Sequence, residues 1–422
     1  MAKLLYHCVT GVFCALLIHA MGMPSVASAA EPGPDKLTLQ QAEAMAMQEN
    51  PLLARATAVK TELAERAVAK DTLPDPRLSL GVVNLPVDSY RFNQEAMTQG
   101  IIGISQQLPA WGSLSARHGQ FTELAAAASS VTEDQGLNVL HNVRTSWLTL
   151  YHQFHARQLV RQGLKEFDQL IKITRFQYRA GRGKQQDVVR AQLEQSLLQD
   201  QEQSFAARWE AALAGLQRWV GTAVDGQALD MAFPDLPDLP QTAQLKSGLE
   251  QHPALKAGKS RIKASEKQVE FADAQYNPGW MIDLKYGYRA AGRDDFISAM
   301  ISMDLPFFTG KRQDRQMRAS KAALSATKND LDDLRREYQR RLDDALANYR
   351  RTGERIALYR TQVLSEAQQN TEATMNAYQS GVTDFNDVVR ARLTQLNSEL
   401  NFLKLQVDQA RAHADLLYLA GG

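Results

Sequence analysis

The sequence predicts a mainly α-helical protein with a smaller β portion, built from two copies of one structural unit. Three observations predict this fold class. Residue patterns recur about 200 positions apart, long proline-free segments have helical periodicity, and two pairs of shorter segments alternate apolar and polar residues. Such alternation is typical of strands that face lipid on one side and water on the other, as in a membrane β-barrel.

The first residues are typical of a secretory signal. Lys3 precedes an apolar stretch from about Val9 to Met23, and the small residues SVASAA follow it. This apolar run is shorter than the ~20 residues that a helix needs to span a bilayer. The pattern therefore predicts a signal peptide over residues 1–30 and an exported mature chain. A structural anchor helix is the alternative.

Charge and cysteine content exclude several functions. The formal net charge of the 422 residues is +1, and basic residues are interspersed with acidic ones. Without a basic stripe, a nucleic-acid partner is not expected. Both cysteines, Cys8 and Cys14, lie in the predicted signal peptide, so thiol chemistry is not expected in the mature chain. The sequence contains neither a nucleophile elbow nor an H-E-x-x-H motif, and it predicts no enzyme activity and no cofactor.

An internal duplication sets the domain organisation. The sixteen residues YRAGRGKQQDVVRAQL, which begin at Tyr178, recur as YQSGVTDFNDVVRARL from Tyr378. Asn50-Pro51 likewise recurs as His252-Pro253. The recurrence predicts three parts after the signal: a first repeat over 31–230, a Pro-rich linker over 231–242, and a second repeat over 243–422.

Each repeat begins with a helical segment and continues with strands. The helices are predicted from Thr38 to about Asp71 and from about Ala243 to Ala274, where Ala, Glu and Lys are frequent. The period then drops to two, which predicts a β-hairpin over 77–108 and another over 279–306. In WMIDLKYGYR, for example, Leu284 and its alternate neighbours are apolar whereas the intervening residues are mainly polar.

The predicted strands are too few to form a barrel alone. The smallest membrane barrels have about eight strands, and an open sheet would leave unpaired edges in lipid. The alternatives are a barrel shared between chains and a soluble sheet packed on the helices. Aromatic residues at the strand ends favour the membrane interpretation, because they stand where an interfacial girdle belongs: Trp111, Trp280, Phe307 and Phe308.

A long helix follows each hairpin. The helical pattern continues without proline from about Ser113 to Tyr178 and from about Gln313 to Tyr378, and the second has the heptad spacing of a coiled coil. About 66 residues at 1.5 Å each make a rod of roughly 100 Å. Gly181 and Gly381 are then placed to reverse the chain. The duplicated residues therefore form hairpin tips, over 178–187 and 378–387, and returning helices follow.

This arrangement resembles the TolC-like outer-membrane efflux family. The order helix, hairpin, long helix, tip and returning helix occurs twice, with Y-x-x-G-x5-D-V-V at both tips. The PDPRLSLGVVNLP stretch near Asp75 is similar to the branch associated with heavy-metal export. The resemblance implies a homotrimer with a twelve-stranded outer-membrane barrel and a periplasmic α-helical tunnel. It further implies a passive exit duct, with heavy-metal cations as cargo.

The resemblance also implies partners and site residues. The partners are a periplasmic membrane-fusion adaptor, an inner-membrane pump of the RND type and outer-membrane lipid. Adaptor docking is assigned to four tip residues, Tyr178, Gly181, Tyr378 and Gly381. A constricted entrance, or gate, is assigned to Asp187, Asp387 and Arg390. Some relatives carry a second carboxylate three residues later, where this sequence has Arg390, so a doubly acidic ring is not predicted.

Two alternatives stay open on the residues alone. The tip glycines and aspartates could serve only to stop one helix and start the next. The whole chain could also be a periplasmic coiled-coil adaptor or scaffold protein without a membrane barrel. The alternating strands discriminate, because an adaptor needs no lipid-facing residues. The i, i+3 pair His152 and His155 is too small a ligand set for a metal and is expected to be structural.

Overall fold

The computed structural model describes residues 36–48, 50–221, 224–226 and 229–421. The predicted signal peptide, residues 1–30, lies outside the described residues. Every element named below belongs to the compact unit that begins at Leu37. The fold class is confirmed, since the described chain is mainly helical and carries one four-stranded antiparallel sheet.

The elements of the first repeat follow one another in the predicted order. They are α1 (Leu39–Gln48), α2 (Pro51–Lys70), β1 (Arg77–Val83), β2 (Gln99–Leu108), α3 (Ser113–Arg179) and α4 (Gln185–Val220). At 67 residues, α3 is a rod of roughly 100 Å.

The second repeat contains the same series with three irregular segments. It comprises α5 (Thr242–Gly248), a 3-10 turn (Leu249–Gln251), α6 (Pro253–Ala274), β3 (Trp280–Tyr288), β4 (Phe296–Met303), a second 3-10 turn (Thr309–Lys311), α7 (Gln313–Leu358), a π-helical turn (Tyr359–Val363), α8 (Leu364–Gln379) and α9 (Phe385–Ala420). The π-helical turn joins α7 to α8 without a break, so the second rod differs from α3 by one local widening of the helix.

The first helix of each repeat is interrupted, so the prediction of one continuous helix from Thr38 to Asp71 was wrong. The break falls before Pro51, the first residue of α2. The Asn50 Oδ1 accepts a hydrogen bond from the Leu52 backbone N at 2.9 Å and thereby caps α2. Proline suits a first helical position, because its missing N–H would be unpaired there, and it keeps the preceding residue extended.

The same break occurs in the second repeat, where the predicted helix from Ala243 to Ala274 was also wrong. Its cause is again a capped proline, because α6 begins at Pro253 and the His252 Nδ1 accepts from the Ala254 backbone N at 3.2 Å. The other ring nitrogen of His252 lies 3.0 Å from the Tyr418 carbonyl oxygen. That carbonyl can only accept, so Nε2 carries the proton and joins α6 to α9.

The sheet has the order β1-β2-β3-β4, and its register segregates the side chains. Leu78 lies opposite Ile104, Ile104 opposite Leu284, and Leu284 opposite Ala299. The rows on either side repeat this pattern, so one face is apolar yet exposed. Its large side chains are Leu78, Leu80, Val82, Ile102, Ile104, Ile282, Leu284, Tyr286, Tyr288, Ile297, Ile301 and Met303.

The opposite face of the sheet is mostly polar. One row contains Arg77, Ser105 and Asp283, and the next contains Ser79, Lys285 and Ser298. Since β1 and β4 each pair on one side only, the sheet also has two open edges. An exposed apolar face and two open edges are typical of a sheet that is completed by molecules outside this chain.

The four aromatic residues that were predicted to form an interfacial girdle lie at the strand ends nearest the helices. Trp280 begins β3, Trp111 follows β2, and Phe307 and Phe308 follow β4. All four side chains are exposed, and Trp111 most of all at 87%. None of the described helices combines the length and apolarity that crossing a bilayer would require.

The long helices pack around α3, which contacts α2, α4, α6 and α9. About midway along α3, α1 is held on it by an ion pair in which the Arg144 Nε lies 2.7 Å from the Glu43 Oε1. Far from the sheet, a core cluster joins α3, α4 and α9 through residues such as Phe167, Leu198 and Phe385. The two hairpins are therefore packed together up to their tips.

Candidate functional site: the paired hairpin tips

The Y-x-x-G motif of each tip forms a Schellman helix stop. At the first tip, the Gly181 N donates to the Tyr178 O at 3.0 Å, and the Arg182 N donates to the Gln177 O at 2.9 Å. Gly181 has φ +70, a left-handed conformation that glycine adopts without a Cβ penalty. Both hydrogen bonds satisfy carbonyls that the end of α3 would otherwise leave unpaired.

The second tip repeats this geometry. The Gly381 N donates to the Tyr378 O at 3.0 Å, the Val382 N donates to the Ala377 O at 2.8 Å, and Gly381 has φ +74. Nothing lies within 4 Å of a Cβ built on either tip glycine. The requirement for glycine at both positions is therefore a backbone requirement and not a matter of space.

The two aspartates begin the returning helices in different ways. The Asp187 Oδ2 accepts from the Lys184 backbone N at 3.4 Å and so caps the start of α4. The Asp387 Oδ2 instead accepts from the Thr383 hydroxyl at 2.6 Å. Asp187 therefore bonds to a backbone N–H at the first tip. Asp387 bonds to a side-chain hydroxyl instead, although it also lies in the first turn of its helix.

Arg390 lies one helical turn beyond Asp387 and approaches it. Its Nη1 is 3.8 Å from the Asp387 Oδ1, and both side chains are largely exposed. Both residues line a groove of about 470 Å³ between α8 and α9, together with small side chains such as Ala373, Ala377 and Ala391. The position that could have carried a second carboxylate therefore carries a cation that pairs with the first.

The two tips also contact each other within the chain. The Lys184 Nζ lies 3.9 Å from the Asp384 Oδ1, with both side chains exposed. Burial raises the pKa of the Tyr378 hydroxyl, and the charge of Asp187 raises it further. Neither Lys184 nor Asp384 was predicted from the sequence as a site residue. The position of Asp384 was predictable, because a carboxylate directly before a helix is a typical N-cap.

Matching residues of the duplicated motif have different environments. Val389 is 1% exposed, whereas its counterpart Val189 is 56% exposed. Tyr378 packs against Phe385, with ring centroids 5.6 Å apart, whereas Tyr178 is exposed. At these matched positions the second tip is packed inward and the first faces outward, although Val382 of the second tip is 79% exposed.

The first tip continues into an exposed apolar stripe along α4. Val189, Leu193 and Leu197 follow at intervals of four residues, and Leu193 and Leu197 are 56% and 55% exposed. Residues four apart share one face of a helix. An exposed apolar row of this kind is typical of a surface that packs against another chain.

One histidine of the pair in α3, His155, contacts the Pro-rich linker. The His155 Nε2 lies 2.8 Å from the Met231 carbonyl oxygen, which can only accept, so that nitrogen carries the proton. His152 is half-buried, and burial lowers the pKa of its imidazole. Among the residues that the structure describes, no group of three or more His, Cys, Asp or Glu side chains is arranged to hold a metal ion.

Comparison with known families decides the class of this protein. The family model described as outer membrane efflux protein matches the chain over residues 44–222 and again over 245–422. The chain belongs to the outer membrane efflux protein family. The resemblance to TolC-like efflux proteins is therefore confirmed, and with it the location of this efflux protein in the outer membrane.

Solved structures agree with the fold of the efflux protein. The outer membrane protein VceC of Vibrio cholerae is 19% identical, with a TM-score of 0.77 over 91% of this chain and 96% of that one. The outer membrane channel CmeC of Campylobacter jejuni is 14% identical, with a TM-score of 0.77 over 92% and 86%. The open state of the channel MtrE of Neisseria gonorrhoeae is 15% identical, with a TM-score of 0.77 over 95% and 94%. No curated protein sequence matches the efflux protein significantly.

Proposed function

We propose that this efflux protein is the passive exit duct of a tripartite efflux system. Three copies would join their sheets into a twelve-stranded barrel in the outer membrane, and their helices would continue as a periplasmic tunnel. A periplasmic membrane-fusion adaptor docks on the tips, and an inner-membrane pump of the RND type supplies the energy. The duct itself catalyses no reaction.

The observation that carries this proposal is the four-stranded sheet, which has one exposed apolar face and two open edges. In lipid, each edge would leave backbone N–H and C=O groups unpaired, at a cost of several kcal/mol per group. Three copies related by a threefold axis pair every edge, β4 of one copy against β1 of the next. The periplasmic adaptor or scaffold alternative is not favoured, because it leaves the apolar face without a role.

The first prediction concerns location and assembly. The mature chain should fractionate with the outer membrane and migrate as a trimer after extraction in mild detergent. Chemical cross-linking followed by mass measurement counts the copies. Recovery of a soluble periplasmic monomer would contradict the duct and restore the scaffold alternative.

The roles of the tip residues are part of the proposal. Tyr178, Gly181, Tyr378 and Gly381 would form the docking surface for the adaptor, and Asp187, Asp387 and Arg390 would line the constricted entrance. The exposed stripe of α4 supports docking or assembly at the first tip. The assignment of heavy-metal cations as cargo rests on the resemblance alone. Loss of metal resistance when the gene for this chain is deleted would support that assignment.

The second prediction separates a gate from a helix cap at Asp387. Asp387→Asn keeps an oxygen that can accept from the Thr383 hydroxyl, but it removes the ion pair with Arg390 and one charge per copy. Because that pair is exposed, its contribution to stability is expected to be below about 1 kcal/mol. Single-channel recordings should therefore show higher conductance or weaker cation preference, with thermal stability little changed.

The control for this experiment is Asp387→Ala, which removes the acceptor as well as the charge. Unchanged conductance in the Asn variant, together with reduced stability only in the Ala variant, would leave Asp387 a structural residue and no gate.

A further inference from the structure

A cavity of about 650 Å³ lies where the sheet joins the helices. Lys70, the last residue of α2, borders it, as do Ser113 and Gln313, the first residues of α3 and α7. Gln275, directly after α6, forms another part of the wall. Four helices from both repeats therefore meet at this one junction cavity.

The junction cavity is bordered by the polar face of the sheet. Gln107 lies on that face, since it alternates with Leu108, which pairs with Trp280 of the apolar face. Gly279 and Asp304 extend the same face by one residue beyond β3 and β4, and the Asp304 N donates to the Gly279 O at 3.0 Å. In the proposed duct this is the face that encloses the lumen.

Three cationic residues line the cavity, namely Lys70, Arg117 and Arg312, of which Lys70 and Arg312 are exposed. None of the three forms an ion pair with a carboxylate of the described residues, although such pairs are frequent along the rods. Asp304 is the one carboxylate among the described wall residues, and no ion pair joins it to a described cation. With three cationic residues against one carboxylate, the described wall of the cavity has a net positive charge.

Arg117 is held in place for such a role. Its guanidinium lies over the Phe271 ring at 3.8 Å from the centroid, and its Nη1 donates to the Gln120 Oε1 at 3.1 Å and the Gln268 Oε1 at 3.3 Å. The Arg117 side chain is half-buried, and this burial lowers the pKa of its guanidinium. A desolvated, oriented cation gains most from an anionic partner.

We propose that the junction cavity binds a small anion that carries phosphate or carboxylate groups. Its oxygens would accept from Arg117 and pair with the ammonium of Lys70 and the guanidinium of Arg312. Two sources share this chemistry, a solute passing through the duct and the headgroup of an anionic phospholipid. The polar face of the sheet favours the solute.

This inference rests on the proposed function and deepens it by naming a class of solute. It runs against the heavy-metal cations that the resemblance implies, because a threefold ring of such cavities would repel divalent cations and concentrate anions at the base of the barrel. The two cargo classes therefore predict opposite ion preferences for the same pore.

The test compares a cavity variant with a matched control. Lys70→Gln combined with Arg312→Gln removes two cavity charges and leaves the stacked Arg117 in place. Lys321→Gln combined with Lys328→Gln removes two charges from exposed positions of α7 that do not line the cavity. Binding of inorganic phosphate to the detergent-extracted full chain is measured by calorimetry, and the anion-to-cation permeability ratio by reversal potential.

We expect phosphate to bind the wild type and the control alike and the cavity variant at least about tenfold more weakly, with a shift of permeability towards cations. Binding of phosphatidylglycerol vesicles in place of free phosphate, lost in the cavity variant, would identify the lipid headgroup as the source. Equal phosphate and lipid binding by all three proteins, or none by the wild type, would overturn the inference. Absence of any channel conductance would instead count against the duct, while the binding measurement would still decide the cavity.

Discussion

Replacing Leu284 or Ile301 by arginine is expected to destabilise the membrane-inserted protein by about 2–4 kcal/mol. Both side chains lie on the apolar face of the sheet and are 49% and 68% exposed in a single chain. In the assembled barrel that exposure would be to lipid, where a guanidinium loses its hydration. Urea unfolding of the protein in phospholipid vesicles measures the loss, and a reduced yield of heat-stable trimer on gels should accompany it.

The matched control is Ser302→Arg, one residue from Ile301 on the same strand but on the opposite face. Ser302 lies across from Met281 of β3, where the proposed duct is filled with water. This variant should assemble normally and change mainly the conductance. Equal destabilisation by Ile301→Arg and Ser302→Arg would show that the apolar face does not meet lipid.

Simultaneous replacement of Gly181 and Gly381 by valine is expected to abolish export while trimers still form. Each glycine has a positive φ, which a β-branched residue adopts at a cost of roughly 1–2 kcal/mol. The open space around both positions means that the cost is conformational only. Relief of this conformational cost would break the Schellman hydrogen bonds of the tips. The backbone would then change shape at the surface proposed for docking. Drug or metal susceptibility of cells and cross-linking to the adaptor provide the measurements.

Gly215→Val is the control for the tip variants. Gly215 lies within α4, its φ is not positive, and a Cβ built there meets nothing within 4 Å. Valine at this site should therefore leave both assembly and export unchanged. If the double tip variant cross-links to the adaptor as well as the control does, the tips do not dock it.

The sheet and the tips could be predicted because local rules determine them. Alternation with a period of two determines which residues share a face of the sheet. The prediction that Leu284 and Ile301 both lie on the apolar face therefore followed from the sequence alone. A helix stop at Gly181 and Gly381 followed from the low cost of left-handed backbone at glycine. The breaks before Pro51 and Pro253 are equally local, because each proline keeps the residue before it extended.

The different environments of the two tips could not be predicted in this way. Val189 and Val389 occupy the same place in the same motif, yet one is exposed and the other buried. Their difference arises because α9 packs against α3 as well as α8, whereas α4 packs mainly on α3. Similar local sequences carry no information about such long-range contacts. The π-helical turn at Tyr359–Val363 is likewise unmarked by proline or glycine.

The junction cavity was beyond sequence reasoning for a related cause. Lys70, Arg117 and Arg312 are far apart along the chain, and each alone is an ordinary basic residue in a protein of formal net charge +1. Only the meeting of α2, α3 and α7 under the sheet places them in one cavity. The duplicated order of elements predicted that these helix ends would lie near the strands, but not which charges they would present.

The two open edges of the sheet have a consequence for how this protein reaches its folded state. In the proposed duct, β1 and β4 pair with strands of other copies, so formation of the last backbone hydrogen bonds is a multimolecular step. The apparent melting temperature should then rise with protein concentration, as it does wherever folding and association are one equilibrium. Until two further copies arrive, the open edges of a newly exported chain could pair with the wrong strands. The chain would therefore be most prone to incorrect pairing in the interval between export and assembly.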